Sequence, residues 1–287
     1  MMSKCLITGA NGNIGKHVVL ELLKQNKNVK AAVYNTDKAS SLFKEEKNLE
    51  IVKFDFLDKS MFKSALSDTK AVFLVRPPNL ANPKKDMFPF LKAVKKSKVE
   101  KIVFISLLGV DKNYFVPHRK IEKEIKNLDV DYVFLRPSFF MQNLNTNHIE
   151  EIKNRSELFI PAGKSKTSFI DTRDIAKAAA FCLVENKYNN TSITLTGKEA
   201  IDYYEVSNIL SKVLKRDIIY KNPSLLRFRK ERIKRNTPKA FANVMTLLYL
   251  MTKLNTASKT TNDLEKIIRQ KPISFKQYAI DYKDCWK

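Results

Sequence analysis

The first half of the chain alternates between short apolar runs and stretches with helical periodicity. Apolar, β-branched runs predict strands over residues 4–8, 29–34, 49–54, 71–75, 101–106 and 131–135. Amphipathic stretches between them predict helices over residues 13–25, 60–67, 84–98 and 118–127. Strands that alternate with helices form βαβ units, so the pattern predicts an α/β fold with a doubly wound parallel sheet.

From about residue 150 the pattern changes. It predicts a helix over 172–185, a strand over 192–196, a helix over 203–214 and a strand over 217–220. Residues 223–287 read as helices without a clear strand. We therefore expect one domain over residues 1–150, to which the 171–200 segment adds. A smaller, mainly helical C-terminal lobe over residues 151–287 is interleaved with it.

The composition predicts a folded protein that does not span a membrane. Hydrophobic residues make up 44% of the 287, enough for a sizeable core, and no run of about 18 apolar residues occurs. Cys5, Cys182 and Cys285 lie far apart, which predicts neither a disulfide framework nor a metal site. The first residues also lack the pattern of a signal peptide, so we expect a cytoplasmic protein.

The net charge of +23 comes from lysines that are spread along the whole chain. Specific DNA readers rely on arginine, so this distribution disfavours nucleic acid as a partner. Residues 227–235 differ, because they carry six basic residues, four of them arginine, and one acid. Leu226 and Ile233 lie two helical turns apart and predict a helix with a thin apolar stripe. A surface helix is favoured, but an acidic partner, nucleic acid or an anionic membrane surface stays open.

The sharpest motif is a glycine-rich loop between the first strand and the first helix. The chain has only six glycines, and three of them are Gly9, Gly12 and Gly15. Gly9 suits a tight turn, Gly12 lets a pyrophosphate approach the backbone, and Gly15 lets the helix pack on the strand. The helix start directs its amides at the phosphates. The loop predicts a Rossmann-type dinucleotide site formed by Gly9, Asn11, Gly12, Asn13, Ile14 and Gly15.

The end of the second strand bears on the choice between NADP(H) and NAD(H). An acid there would hold the ribose 2′-hydroxyl of NAD, but the sequence reads Tyr34-Asn35-Thr36-Asp37-Lys38, and the acid comes late. Asn35 could bond the ribose and Lys38 could pair with a 2′-phosphate. This favours NADP(H) over NAD(H), although a solvated Lys38 at a helix start is an open alternative.

The Gly-x-x-Gly-x-x-Gly spacing resembles the short-chain dehydrogenase/reductase superfamily. Runs at 104–110, 117–122, 135–143, 169–176 and 195–197 resemble its NmrA-like atypical members. The resemblance implies a Rossmann domain that binds NAD(P)H, and an Asp55 that bonds the adenine amino group. It implies a reductase of quinones, azo dyes or triphenylmethane dyes, or a redox-sensing regulator that binds NAD(P) without turnover and acts through a protein partner. A homodimer also stays open.

Ordinary members of that superfamily place a Tyr-x-x-x-Lys pair on the helix after the fifth strand, where the lysine lowers the tyrosine pKa. Here His118 and Glu122 stand at those positions, while Ser106 keeps the place of the superfamily's serine. Reducing a ketone needs a nearby acid, but a quinone or dye spreads the new charge. We therefore predict hydride transfer to a conjugated acceptor, with His118 and Ser106 as candidate catalytic residues. Whether His118 donates a proton or only lines the pocket stays open.

The remaining candidates follow the carboxyl ends of the predicted strands, where open α/β sheets bind ligands. The further cofactor candidates are Tyr34, Asn35, Lys38, Asp55, Phe56, Val75, Arg76, Pro77, Ser106 and Pro137. Arg76 could contact a phosphate or solvent, and the sequence does not favour either alternative. The candidate substrate pocket consists of His118, Phe139, Phe140 and Asn143, whose aromatic rings could form a floor for a flat acceptor or belong to the core.

Overall fold

The computed structural model describes residues 4–43, 46–114 and 116–287. Its strands are β1 (Lys4–Thr8), β2 (Asn28–Val33), β3 (Leu49–Lys53), β4 (Thr69–Val75), β5 (Lys101–Ile105), β6 (Asp131–Pro137), β7 (Glu157–Leu158), β8 (Thr191–Leu195) and β9 (Ile219–Tyr220). Seven of them form a parallel sheet in the order β3-β2-β1-β4-β5-β6-β8, and β7 pairs with β9. The predicted α/β, doubly wound, Rossmann-type fold is confirmed.

Helices connect these strands and make up most of the C-terminal region. They are α1 (Gly15–Lys24), α2 (Thr36–Leu42), α3 (Phe62–Leu66), α4 (Pro83–Asp86), α5 (Phe88–Lys95), α6 (Pro117–Lys126), α7 (Ile149–Arg155), α8 (Thr172–Val184), α9 (Tyr203–Leu214), α10 (Leu225–Lys234), α11 (Lys239–Lys253), α12 (Asp263–Ile268) and α13 (Phe275–Asp281). No helix within the described residues is long and apolar enough to cross a membrane.

The strand order places the switch point of the sheet between β1 and β4. Chain connections leave the sheet in opposite directions on either side of that point, so the loops after these two strands separate. β5 lies beside β4, and all five of its residues are buried, as expected for a strand covered on both faces. The candidate ligand site is therefore expected where β1, β4 and β5 end.

The chain divides into two compact units. The first comprises residues up to Pro137, Thr172–Leu195 and Lys266–Arg269, and the second comprises Ser138–Asp171, Thr196–Glu265 and Gln270–Lys287. Each unit has its own apolar core: Leu74, Phe90 and Phe104 lie in the first, and Phe228 and Trp286 lie in the second. The division at residue 150 stays a prediction.

Three local predictions differ from the structure. The predicted 84–98 helix is two helices, because Pro89 cannot donate the backbone hydrogen bond that would continue α4 into α5. α2 lies outside the predicted helix ranges, although a helix start at Lys38 was left open; the Asn35 side chain accepts from the Lys38 amide and starts this helix. The predicted helix over the basic segment is α10, but Leu226 of its apolar stripe is 81% exposed, and the helix buries Phe228 and Arg232 instead.

Candidate functional site

The glycine loop closes so tightly that it leaves little room for a side chain at Gly12 and none at Gly15. Gly9 has a φ of +61°, a left-handed conformation that favours glycine. The Gly12 amide donates to the Gly9 carbonyl at 2.9 Å. A Cβ on Gly12 would lie 3.1 Å from that carbonyl oxygen, and one on Gly15 would lie only 2.1 Å from it. The close approach of α1 to the loop therefore requires Gly15.

The start of α1 is open to a ligand. Ile14 is the buried N-cap residue, and no side chain of the described residues caps this helix end. Asn11, Gly12 and Asn13 are exposed in front of it. An uncapped helix start with exposed amides and a positive dipole end binds anions such as a pyrophosphate. The loop therefore fits the dinucleotide that its sequence predicts.

The candidates for the adenosine part follow β2 and β3. Tyr34 is 73% exposed, and Asn35 uses its side-chain oxygen to start α2, beside an exposed Lys38. The Asp55 carboxylate accepts from the Leu57 amide at 2.9 Å. The Phe56 ring belongs to the core, where it contacts Phe54 and Phe90 edge-on, so only its main chain can meet a ligand. These assignments stay predictions.

At the end of β4, the side chain of Arg76 folds back on its own loop. The guanidinium Nη1 donates to the carbonyl oxygens of Pro77, Pro78 and Leu80 at 2.9, 3.2 and 2.8 Å. Its Nε is buried and has no hydrogen-bond partner among the described residues. Val75, one residue earlier, donates its amide to Thr8 Oγ1 at 3.0 Å, which ties this strand end to the glycine loop.

His118 lies in the first turn of α6 and stays uncharged. Its ring stacks on Phe104 of β5, with centroids 5.9 Å apart and planes inclined by 28°. Burial, and then the nearby charge of Arg76, lower the pKa of His118 from 6.5 to about 3. Its Nδ1 is buried without a partner in the described part of the chain. A neutral imidazole with a free ring nitrogen can bond a ligand but is a poor source of protons at neutral pH.

Ser106, at the end of β5, is the third side chain near these strand ends with a buried polar atom that lacks a partner among the described residues. Its amide donates to the Leu135 carbonyl at 2.8 Å, but its buried Oγ has no partner among the described residues. Buried polar atoms without partners are rare in folded proteins and call for an explanation. Arg76 Nε, Ser106 Oγ and His118 Nδ1 all belong to the first unit, near the ends of β4 and β5. A ligand that bonds them would explain all three. Pro137, at the end of β6, accepts from the Leu108 amide.

Glu122 is engaged by a residue that the sequence reasoning missed. Arg136 of β6 donates from Nε to Glu122 Oε1 at 3.0 Å and from Nη2 to Oε2 at 2.7 Å. Both side chains are largely buried, at 18% and 8% exposure. The available signal was an arginine directly after the apolar run Tyr132–Leu135, because a cation drawn into a sheet needs an acid partner. Glu122 therefore stands at the lysine position of ordinary members but carries no free charge.

The other substrate candidates belong to the second unit. The Phe139 ring lies 6.2 Å from that of Tyr249, and Phe140 forms a parallel bridge with Ile170. The Asn143 carbonyl accepts from the amides of the two residues that precede α7, at 2.9 and 3.2 Å. Phe139 and Phe140 are only half-buried, as a pocket floor would be. Their roles toward a substrate stay predictions.

The basic segment is partly explained by a buried acid. Glu151 of α7 accepts from Arg232 at 2.8 Å, from Arg235 at 3.1 Å and from His148 Nδ1 at 2.8 Å. Burial opposes its ionisation, but the bond from His148 and the charge of Arg232 hold the pKa of Glu151 below its usual value. His148 Nε2 lies 2.6 Å from the Tyr249 hydroxyl. Two of the six basic side chains thus serve the core of the second unit.

Comparison with known proteins agrees with this geometry. Residues 9–186 match a protein family described as NAD(P)H-binding. The chain is 29% identical over 276 residues to the prestalk A differentiation protein A of Dictyostelium discoideum, covering 96% of this chain and 90% of that protein.

Two solved structures share the fold over nearly the whole chain. The NADPH-dependent quinone oxidoreductase of Escherichia coli, complexed with NADPH, superposes with a TM-score of 0.87 at 20% identity, covering 98% of this chain and all of that one. The triphenylmethane reductase of Citrobacter sp., complexed with NADP(H), gives 0.83 at 21% identity, covering 98% and 99%. These likenesses show that this chain shares the fold of those two reductases. The matched family and the glycine loop together show that the chain belongs to the NAD(P)H-binding family.

Proposed function

We propose that this protein is an NAD(P)H-dependent reductase of electron-poor conjugated acceptors. The observation that carries the proposal is that three buried atoms near the ends of β4 and β5, Arg76 Nε, Ser106 Oγ and His118 Nδ1, lack partners in the described residues. The bound nicotinamide supplies the hydride. The polar group would hold the acceptor against it.

The proton chemistry of these residues restricts the acceptor. His118 remains neutral down to about pH 3, and Glu122 is held by two hydrogen bonds from Arg136. His118 is therefore a poor acid at neutral pH, and a simple ketone, which becomes a localised alkoxide, would lack the proton it needs. A quinone or an azo compound delocalises the added charge and can take its proton from solvent.

The charge of Arg76 further restricts which acceptors the site favours. Burial lowers the pKa of Arg76, yet a guanidinium stays protonated at neutral pH. A fixed cation beside neutral His118 favours an acceptor that turns anionic when it receives hydride, and disfavours one that is already cationic. We therefore place neutral quinones ahead of cationic triphenylmethane dyes as substrates.

The preference for NADP(H) over NAD(H) rests on the loop after β2. No acid stands at that strand end to bond a ribose 2′-hydroxyl, and Lys38 is exposed in the first turn of α2. A 2′-phosphate would find a cation there. Lys38→Glu should weaken NADPH binding measured by calorimetry roughly tenfold or more while leaving NADH binding within about twofold. Equal loss for both cofactors would contradict the preference.

The activity is tested by acceptor-dependent NADPH oxidation, followed by absorbance. The panel contains a neutral quinone, a neutral azo dye, a cationic triphenylmethane dye and a simple ketone. We expect the quinone to be reduced fastest and the ketone not at all. Arg76→Gln should raise the rate for the cationic dye relative to the quinone by roughly tenfold, because charges in a partly buried site commonly interact by about 1–2 kcal/mol. Reduction of the ketone at the rate of the quinone would refute the proposal.

A dinucleotide-sensing regulator is the second candidate. It is favoured by the 29% identity to a protein named for its part in differentiation and by the missing Tyr/Lys pair. Such a protein would act through a protein partner or as a homodimer. Calorimetric binding of NADP⁺, combined with no oxidation of NADPH by any acceptor in the panel, would favour the sensor over the enzyme.

A further inference from the structure

One face of α11 presents apolar side chains to solvent. They are Val244, Leu247, Leu248, Leu250 and Leu254, with 50, 53, 45, 36 and 63% exposure. Residues three, four and seven positions apart share a helix face, so these side chains form one continuous stripe, here named the leucine face. A helix of this length extends over about 22 Å. Soluble monomers rarely expose so long an apolar stripe unless it binds something.

The opposite face of α11 holds the helix in place. Ala242, Met245, Tyr249 and Thr252 are buried, and Tyr249 contacts the Phe228 ring of α10 at 5.3 Å. The core of the second unit therefore does not need the leucine face. The outward leucines can be changed without removing any of these contacts.

The surroundings of the leucine face are positively charged. Residues 225–262, from the start of α10 to beyond the end of α11, contain nine basic residues and one acid, Glu231. Arg232 and Arg235 are paired with Glu151, but Lys234, Lys239, Lys253 and Lys259 are exposed. Arg229 of α10 donates from Nε to Asn243 Oδ1 at 2.7 Å, which sets its guanidinium beside α11. An apolar stripe is thus flanked by cations.

We propose that α10 and α11 dock this protein on the surface of a bilayer that contains anionic lipid. Helices with one apolar and one basic face lie in the membrane interface, with the apolar face about 5–10 Å below the headgroups. The flanking lysines and arginines would pair with lipid phosphates, and their long stems allow the charges to stay in the headgroup layer. Nucleic acid would satisfy the cations but would leave the leucines in water.

A second copy of the chain is a poorer occupant of this face. If two copies paired their leucine faces in antiparallel fashion, Lys239 of one α11 would lie near Lys253 of the other. Each chain also carries a net charge of +23, which opposes association. An anionic bilayer supplies both the apolar layer and the opposite charge, and a second copy supplies only the first.

The test is flotation of the full chain with vesicles of phosphatidylcholine alone, or with roughly one-third phosphatidylglycerol. We expect the protein to bind only the anionic vesicles, and high salt should weaken this binding. The double variant Leu247→Gln/Leu254→Gln should lower the partition coefficient at least about tenfold. The control Leu20→Gln/Ile219→Gln, at positions that are 43 and 54% exposed elsewhere, should stay within about twofold of the wild type.

A second measurement does not depend on these polar variants. Trp286 is fully buried, so Leu247→Trp adds an outward reporter to a chain with one hidden tryptophan. Its emission should shift to the blue on anionic vesicles and be quenched by brominated lipid. Absence of binding to anionic vesicles, or an unquenched Leu247→Trp on them, would overturn the proposal. So would a dimer in light scattering that Leu247→Gln dissociates, because a second copy would then cover the face.

Discussion

Burial of neutral His118 makes the fold sensitive to mild acid. The pKa of His118 is about 3 in the folded chain, and a histidine in an unfolded chain titrates near 6.5. Between these values the unfolded chain binds one more proton at this residue than the folded chain does. The free energy of unfolding therefore decreases as the pH falls through that window, and the contribution is fully present above about pH 7.

The size of the effect follows from the two pKa values. At pH 5 an unfolded histidine is almost fully protonated, which lowers the free energy of the unfolded chain by about 2 kcal/mol. The folded chain gains almost nothing at that pH, because its His118 titrates about two pH units lower. Two kcal/mol is a large share of the roughly 5–15 kcal/mol by which a domain is stable.

Urea unfolding of the wild type and of His118→Phe, at about pH 8 and pH 5, measures this term. Phenylalanine keeps the ring on Phe104 but cannot titrate, so the variant should lose about 2 kcal/mol less than the wild type between the two pH values. Phe104→Leu is the control: it removes the ring stacking, leaves the imidazole, and should keep most of the wild-type pH dependence. Equal losses for His118→Phe and the wild type would refute the assignment of a buried, neutral histidine.

Further substitutions test other parts of the structure. Gly15→Ala should lower stability and dinucleotide affinity together, measured by urea unfolding and calorimetry, because its Cβ would lie 2.1 Å from the Gly9 carbonyl oxygen. An unchanged affinity would contradict the loop geometry. Glu122→Gln should destabilise the chain by roughly 3 kcal/mol in urea, because it leaves Arg136 buried and unpaired; a loss below about 1 kcal/mol would place that pair in solvent. Glu151→Gln should lower the free energy of unfolding by about 3–5 kcal/mol in the same assay. An unchanged free energy of unfolding would mean that water hydrates Arg232.

The sheet and the glycine loop were predictable because their signals are local. An apolar run such as β5 has few alternatives to a buried strand, and the spacing of Gly9, Gly12 and Gly15 requires a strand before it and a helix after it. The ends of helices were harder to predict from the sequence. The Asn35 side chain starts α2, because asparagine serves well as a helix cap, and its contact with a ribose stays a prediction.

The groups that keep His118 uncharged were not predictable from its neighbours in sequence. Arg119 and Lys120 are adjacent, but the cation that lowers its pKa is Arg76, 42 positions earlier. The order β1-β4-β5 places the end of β4 beside the strand on which the imidazole stacks. The burial of His118 and the nearby charge of Arg76 both depend on that strand order. A sequence window centred on the histidine does not contain them.

The basic segment shows why charge counts alone do not identify a partner. Its arginines look equivalent in sequence, yet residues 232 and 235 lie one helical turn apart and both reach Glu151, which is 1% exposed. An acid buried so deeply must be paired, so the fold itself demands these two cations. Only the charges on the other side of α10 are available to a partner. Because α11 adds leucines rather than polar groups beside them, the surface that remains suits an anionic bilayer better than a purely polar polyanion.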